Sequence, residues 1–136
     1  GSIQAGADLD ISAGSVTTIA SRTINCPTSG YVFVMGTAEV QMYLYDSNGI
    51  EVTFGISESI NAWSGAAQET KIRIPGVLPG ATYFTQACAQ GLFEVSAGNN
   101  TFHMNALESK GDITVRSRQL SVMFFPTAYG SVDTTD

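Results

Sequence analysis

The period of the apolar residues constrains this chain most. Apolar and polar positions alternate in short runs, and no ten-residue stretch keeps a 3.6-residue period. Alternation sends successive side chains to opposite faces, so each run can bury one face and wet the other. Runs at 16–24, 31–45, 50–60, 70–74, 82–88, 92–96, 101–107 and 113–125 read as eight or nine strands. Turn residues separate them. Asp46-Ser47-Asn48-Gly49 carries Asn-Gly, which suits positive φ, and Pro75-Gly76, Pro79-Gly80 and Ser109-Lys110-Gly111-Asp112 follow. Residues 92–107 read as a hairpin about the 97–100 turn, 61–69 as a loop, and Gly36 as a bulge or bend inside a long strand. Strands spaced by roughly ten residues make an antiparallel sandwich or barrel, so the fold class is all-β.

The 136 residues fit one domain, 1–136, with 1–15 as an N-terminal tail or first strand and 127–136 as a C-terminal tail. Gly1-Ser2 has the look of a cloning remnant, which makes the chain a piece of something longer. The net charge of −6 argues against a phosphate-tracking nucleic-acid binder or a protein held on an anionic membrane. No apolar run reaches the roughly 20 residues a spanning helix needs, so no membrane insertion is expected.

Two stretches break the alternation. In 31–35, Tyr31, Phe33 and Met35 load one face while Val32 and Val34 load the other; in 42–45, Met42 and Leu44 oppose Tyr43 and Tyr45. Near the end, Leu120, Val122 and Phe124 oppose Met123 and Phe125. A two-sheet sandwich covers only its inner faces. A loop or another subunit must cover the second face, and the charged fraction of 13% favours a subunit. The expected interface residues are Tyr31, Phe33, Tyr43, Tyr45, Met123 and Phe125.

The segment Cys26-Pro27-Thr28-Ser29-Gly30-Tyr31-Val32-Phe33 resembles the Pro-x-x-Gly-x-Tyr-x-Phe signature of the complement globular-head and tumour-necrosis-factor-like family. Residues 93–102 are similar to that family's later hairpin, and 120–130 to the closing strand of its bacterial members, which ends in Phe-Pro-Thr-x-Tyr-Gly. The resemblance spans about 24–130 and implies a two-sheet jelly roll of about 8–10 strands that assembles as a homotrimer. It also implies that the central and C-terminal strands pack about the threefold axis. Animal members carry a late Gly-Asp-x-Val pair; Gly111-Asp112-Ile113 lies close to that pattern but after the hairpin and is not equated with it, so no calcium site is carried over.

Chemistry is sparse. His103 is the single histidine and shares a non-core face with Thr101 and Asn105, with no nucleophile signature beside it. One histidine excludes multi-histidine metal centres. Asp8-Leu9-Asp10 and Asp46-Ser47-Asn48 are the only hints of a calcium loop, and each reads more simply as a strand edge or a turn. Arg116 and Arg118 alternate onto one face, as do Lys71 and Arg73. Cys26 and Cys88 lack metal-ligand spacing; a disulfide and two free thiols both stand as readings. Trp63, in Asn61-Ala62-Trp63-Ser64, can stack on a sugar ring or fold back over the sandwich end.

The expectation is therefore a non-catalytic extracellular or cell-surface recognition module, without catalytic residues, cofactor or metal. It would be the trimeric head or tip of a surface or fibre protein that binds a glycan or protein. Asn61, Trp63, Ser64, Asn99 and Asn100 are the candidate ligand contacts on end loops. A purely structural trimerisation cap and a monomeric carbohydrate-binding module are the alternatives.

Overall fold

The computed structural model describes residues 2–5, 8–11, 14–45, 47–63 and 69–127. Nine strands follow one another: β1 (Ser2–Ala5), β2 (Leu9–Ile11), β3 (Thr17–Cys26), β4 (Gly30–Leu44), β5 (Ile50–Ser57), β6 (Glu69–Ile74), β7 (Ala81–Val95), β8 (Gly98–Lys110) and β9 (Asp112–Pro126). The front sheet has the order β1–β9–β4–β7, with β2 sharing the β9 edge; the back sheet has the order β3–β8–β5–β6. Every pairing is antiparallel. Only β1–β2 and β5–β6 are consecutive strands of one sheet; every other connection crosses to the opposite sheet. The result is a jelly-roll β-sandwich.

Alternation explains the strands. Along β4, Val32, Val34, Ala38, Val40, Met42 and Leu44 point inward and are buried, while Tyr31, Phe33, Met35, Tyr43 and the following Tyr45 point outward. The same split holds in β9, where Leu120 and Val122 are inside and Met123 and Phe125 outside. From the back sheet, Phe54, Phe102 and Met104 fill the other half of the core. The Phe93 and Phe102 rings meet across it at 5.1 Å in a tilted pair.

Several expectations are corrected. Residues 82–88 and 92–96 are one strand, β7, which Gly91 does not interrupt because it pairs with Val34 within the ladder. The chain from 92 to 107 is no hairpin: β7 belongs to the front sheet and β8 to the back, and Gly98, at φ 108°, turns the corner between them. β5 stops at Ser57 although the alternation continues to residue 60. Gly36 is not a bulge; a Cβ there would lie 2.6 Å from the Met104 sulfur of the facing sheet, so its role is close approach. The bulge comes just after it, where the β4–β9 register shifts between Thr37 and Glu39 and Ser117 takes φ 51°. That bulge also separates the two arginines expected on one face. Arg116 points out, whereas Arg118 points in, is 9% exposed, and donates from Nη1 to the Ile19 carbonyl at 2.9 Å.

The two cysteines are free thiols on opposite sides of a sheet, which decides against the disulfide reading. Cys26 is buried on the inner face at the end of β3, and Cys88 is exposed on the outer face of β7.

One buried inward position is acidic. Glu108, on β8, is 1% exposed and its Oε1 has no hydrogen-bond partner. Burial, and then the nearby charge of Asp112, push its carboxyl above the ordinary value of 4.5. The folded state thus binds this proton more tightly than the unfolded chain. Its contribution to stability is complete below the ordinary value and is lost as pH rises through the raised one. Glu108→Gln, which cannot ionise, should stabilise the fold by about 1 kcal/mol at pH 8 and by nothing at pH 4. Urea unfolding at the two pH values measures this, and a loss of stability at pH 8 refutes it.

Candidate assembly and recognition surfaces

The outer face of β9–β4–β7 is the most unusual surface of the molecule. The register lays its side chains in rows of three, one from each strand. At one end, here the tip, Phe125, Tyr31 and Glu94 form a row; Met123, Phe33 and Leu92 form the next; Ser121, Met35 and Gln90 follow. Leu92 and Met123 are 58% and 57% exposed. Tyr31, Phe33, Met35, Leu92, Met123 and Phe125 make an apolar field on the tip half of the sheet, with Glu94, Gln90 and Ser121 at its margins.

The other half, at the base, is acidic and aromatic. Arg116 pairs with Glu39 through Nε, lies 3.9 Å from Asp8, and sits 5.8 Å over the Phe84 ring. Its pKa is raised, chiefly by the hydrogen bond to Glu39. Below it, Thr114 donates to Asp10 at 2.7 Å. Asp10, Ile11, Tyr43, Asp112, Ile113 and Thr114 line an open cavity of about 320 Å³. The Tyr43 and Tyr45 rings stack beside it at 6.3 Å.

All six expected interface residues therefore lie on one face, Tyr31, Phe33, Met123 and Phe125 at the tip and Tyr43 and Tyr45 at the base. Leu92 and Phe84 belong to the same face and were not among them. Splitting β7 in two hides them, although their even separation of eight positions carries the signal once β7 is one strand.

A second surface lies on the outer face of β3 and β8, where a polar ladder runs along the pair. Thr18 donates to Asn105 at 2.6 Å, Ser21 and His103 Nδ1 are 2.7 Å apart, Thr23 and Thr101 are 2.7 Å apart, and Asn25 donates to Asn99 at 2.8 Å. Cross-strand polar pairs of this kind hold register as well as face water. Asn99 is thus part of the ladder near the tip. Asn100 holds the corner instead, donating to the carbonyls of Ser96 and Gly98.

The loop after β5 folds back onto this ladder. Asn61, at φ 52°, accepts from the Thr18 amide through its side chain and donates its own amide to the Thr18 hydroxyl, both at 2.8 Å. Asn105, fully buried, donates to the carbonyls of Ser59 and Ala62 at 3.1 and 2.6 Å. His103, read from the sequence as a surface residue, is only 8% exposed, and burial lowers its pKa. Trp63 is half-buried, and Ser64 lies outside the described residues. Asn61 and Asn99 stand at opposite ends of one ladder, Trp63 follows Ala62 at the Asn105 end, and Asn100 lies beside Asn99.

The back sheet also carries three exposed bases, Lys71, Arg73 and Lys110. Glu51 accepts from Arg73 Nε at 2.8 Å and from Ser109 at 2.9 Å, with Lys71 at 3.8 Å. These contacts, the Ser109 hydrogen bond first, hold its carboxyl below the ordinary range. Among the described residues, no group of three or more His, Cys, Asp or Glu could hold a metal ion. No protein-family model matches the chain, and no curated protein matches it.

Asn105 was legible only as one polar position of an alternating strand, yet it joins β3, β8 and the β5–β6 loop. Asn105→Ala should cost about 2–3 kcal/mol, because it strands buried partners on two elements. Denaturant unfolding measures the loss, and a change below about 0.5 kcal/mol would show that the loop is held by other contacts.

Proposed function

We propose that the protein is a non-catalytic recognition module that works as a homotrimer, the head or tip of a longer extracellular surface or fibre protein. The observation that carries this reading is the apolar field of Tyr31, Phe33, Met35, Leu92, Met123 and Phe125, which the described residues leave exposed over much of its area. A solvated field of this kind is costly, and burying it between copies recovers roughly 25 cal/mol for every Å² covered. The resemblance of the Pro27–Phe33 and closing-strand motifs to trimeric jelly rolls supports three copies and a recognition role. The polar ladder of β3–β8 and the loop after β5 lie on the opposite sheet, and they offer amides, hydroxyls and one tryptophan, the groups that bind sugars or surface proteins. Three such surfaces on one assembly would multiply a weak single-site affinity.

Light scattering on a sizing column tests assembly directly. The chain weighs 14.3 kDa, so the trimer should elute at three times that mass. Phe33→Asp with Met123→Asp should give a folded monomer. A wild-type mass near 14.3 kDa at all concentrations would overturn the assembly reading and leave a monomeric binding module.

Cys88 offers an independent measurement, since it lies opposite Thr37 in the middle of the same face. Its thiol should label at least tenfold more slowly in the wild-type assembly than in the aspartate variant, while buried Cys26 stays unreactive in both. Equal rates would place Cys88 outside any interface. Recognition is tested by a glycan array with the wild type and Trp63→Ala; reproducible binding lost in the variant supports it, and silence from a stable trimer supports a structural cap.

A further inference from the structure

We infer that subunits meet through two different patches, the acidic base of the front sheet on one copy and the exposed bases of the back sheet on the next. This inference rests on the assembly reading above and names the contact within it.

Charge is unevenly distributed over the molecule. Asp8, Asp10, Glu39 and Asp112 crowd the base half of the front face, with Arg116 as the single opposite charge there. Burying that half against another copy removes water from the carboxylates, so the partner must bring positive charge. The chain has six basic residues. Arg118 is inside the sandwich and bonded to Ile19. Arg22 faces inward opposite Phe102, with its Nε buried. Arg116 is already committed to Glu39 on the acidic face itself. Lys71, Arg73 and Lys110 remain, all exposed and all at the base of the back sheet.

Lys71 and Arg73 pair with Glu51, Lys110 lies opposite Glu51 in the β5–β8 register, and Glu69 shares the outer face of β6, so three bases stand against two carboxylates there. Level also agrees. Arg73 and Lys110 both pair with Glu51 near the start of β5, and only Gly111 separates Lys110 from Asp112 at the base of the front sheet. The cavity beneath Asp10 and Asp112, walled by Tyr43, has the shape and charge to take an ammonium or guanidinium head.

The same pattern argues against a two-fold pairing of the front face with itself. Such a pairing lays acid on acid, or acid on the apolar tip, and either leaves carboxylates buried without a partner. Two unlike patches give a heterologous contact, which closes into a ring or extends as an open series.

The test is a charge exchange read by light scattering, with thermal unfolding of each variant as the control for folding. Lys71→Glu and Asp112→Lys, made separately, should each weaken assembly at least tenfold. The chain carrying both should regain it, because each new charge then meets its opposite on the next copy. Raising salt from 50 to 500 mM should weaken the wild type and the double variant alike. If the wild type assembles and neither single variant changes it, the pairing is wrong while the assembly reading stands. If both single variants weaken assembly and the double variant does not recover, the two residues do not face each other and the inference fails. A wild type that is monomeric throughout removes the assembly reading and this contact with it.

Discussion

β4 is the strand on which the sandwich is organised. It is 15 residues long and paired on both sides, to β7 along its whole length and to β9 with a single register break. A strand paired on both edges has no backbone group left for water, so its side chains alone decide what its faces do. The inner face is aliphatic and has one constraint of space, at Gly36, where Met104 comes across from the other sheet. The outer face is aromatic toward both ends and polar in the middle. Both faces follow from one alternating sequence, and the jelly-roll crossings carry the remaining strands around it.

The sequence made the core legible because its signal is local. The parity of Val32, Val34, Met42 and Leu44 against Tyr31, Phe33, Tyr43 and Tyr45 is a property of consecutive residues, and it survives folding unchanged. Parity fails where the backbone departs from extended geometry. At Ser117 a left-handed residue inserts one position, and Arg116 and Arg118 end on opposite sides of the sheet. Nothing in the composition of Arg116-Ser117-Arg118 announces that bulge, since the residue taking positive φ is not glycine. The corners were misread for a related reason. Gly98 and Gly111 mark a change of direction equally well whether the chain returns within its sheet or crosses to the other, and long-range pairing makes that choice.

The polar surface was less legible, because its order is non-local. Asn61 and Thr18 are 43 positions apart and exchange two hydrogen bonds; Asn105 reaches the same loop from a third element. A sequence shows these only as amides in a loop and a strand, the composition expected of a binding loop. The structure gives each a mechanical task as well. The two roles are compatible, since an amide has more hydrogen-bonding capacity than one contact uses. A loop segment pinned at Ser59, Asn61 and Ala62 also loses little entropy when it meets a ligand.

The two outer faces therefore differ in how they satisfy themselves. On the back sheet, each polar side chain of the β3–β8 ladder finds its partner across the strand pair, and the loop after β5 covers Asn105 from outside. That face is complete within one chain. On the front sheet, the tip half has apolar side chains that the described residues leave exposed, and the base half has four carboxylates, of which Asp8 and Glu39 face the single arginine there. Neither imbalance is resolved inside the monomer, and both are on the same side of β4. Loss of apolar contact with water and neutralisation of excess charge are different physical demands, yet one neighbour of the same sequence can meet both, because its Lys71, Arg73 and Lys110 stand on the face where charge is in surplus of the opposite sign. In the proposed assembly such a neighbour would cover the apolar half by area and the acidic half by charge, so that area would set how much is gained and charge which orientation gains it.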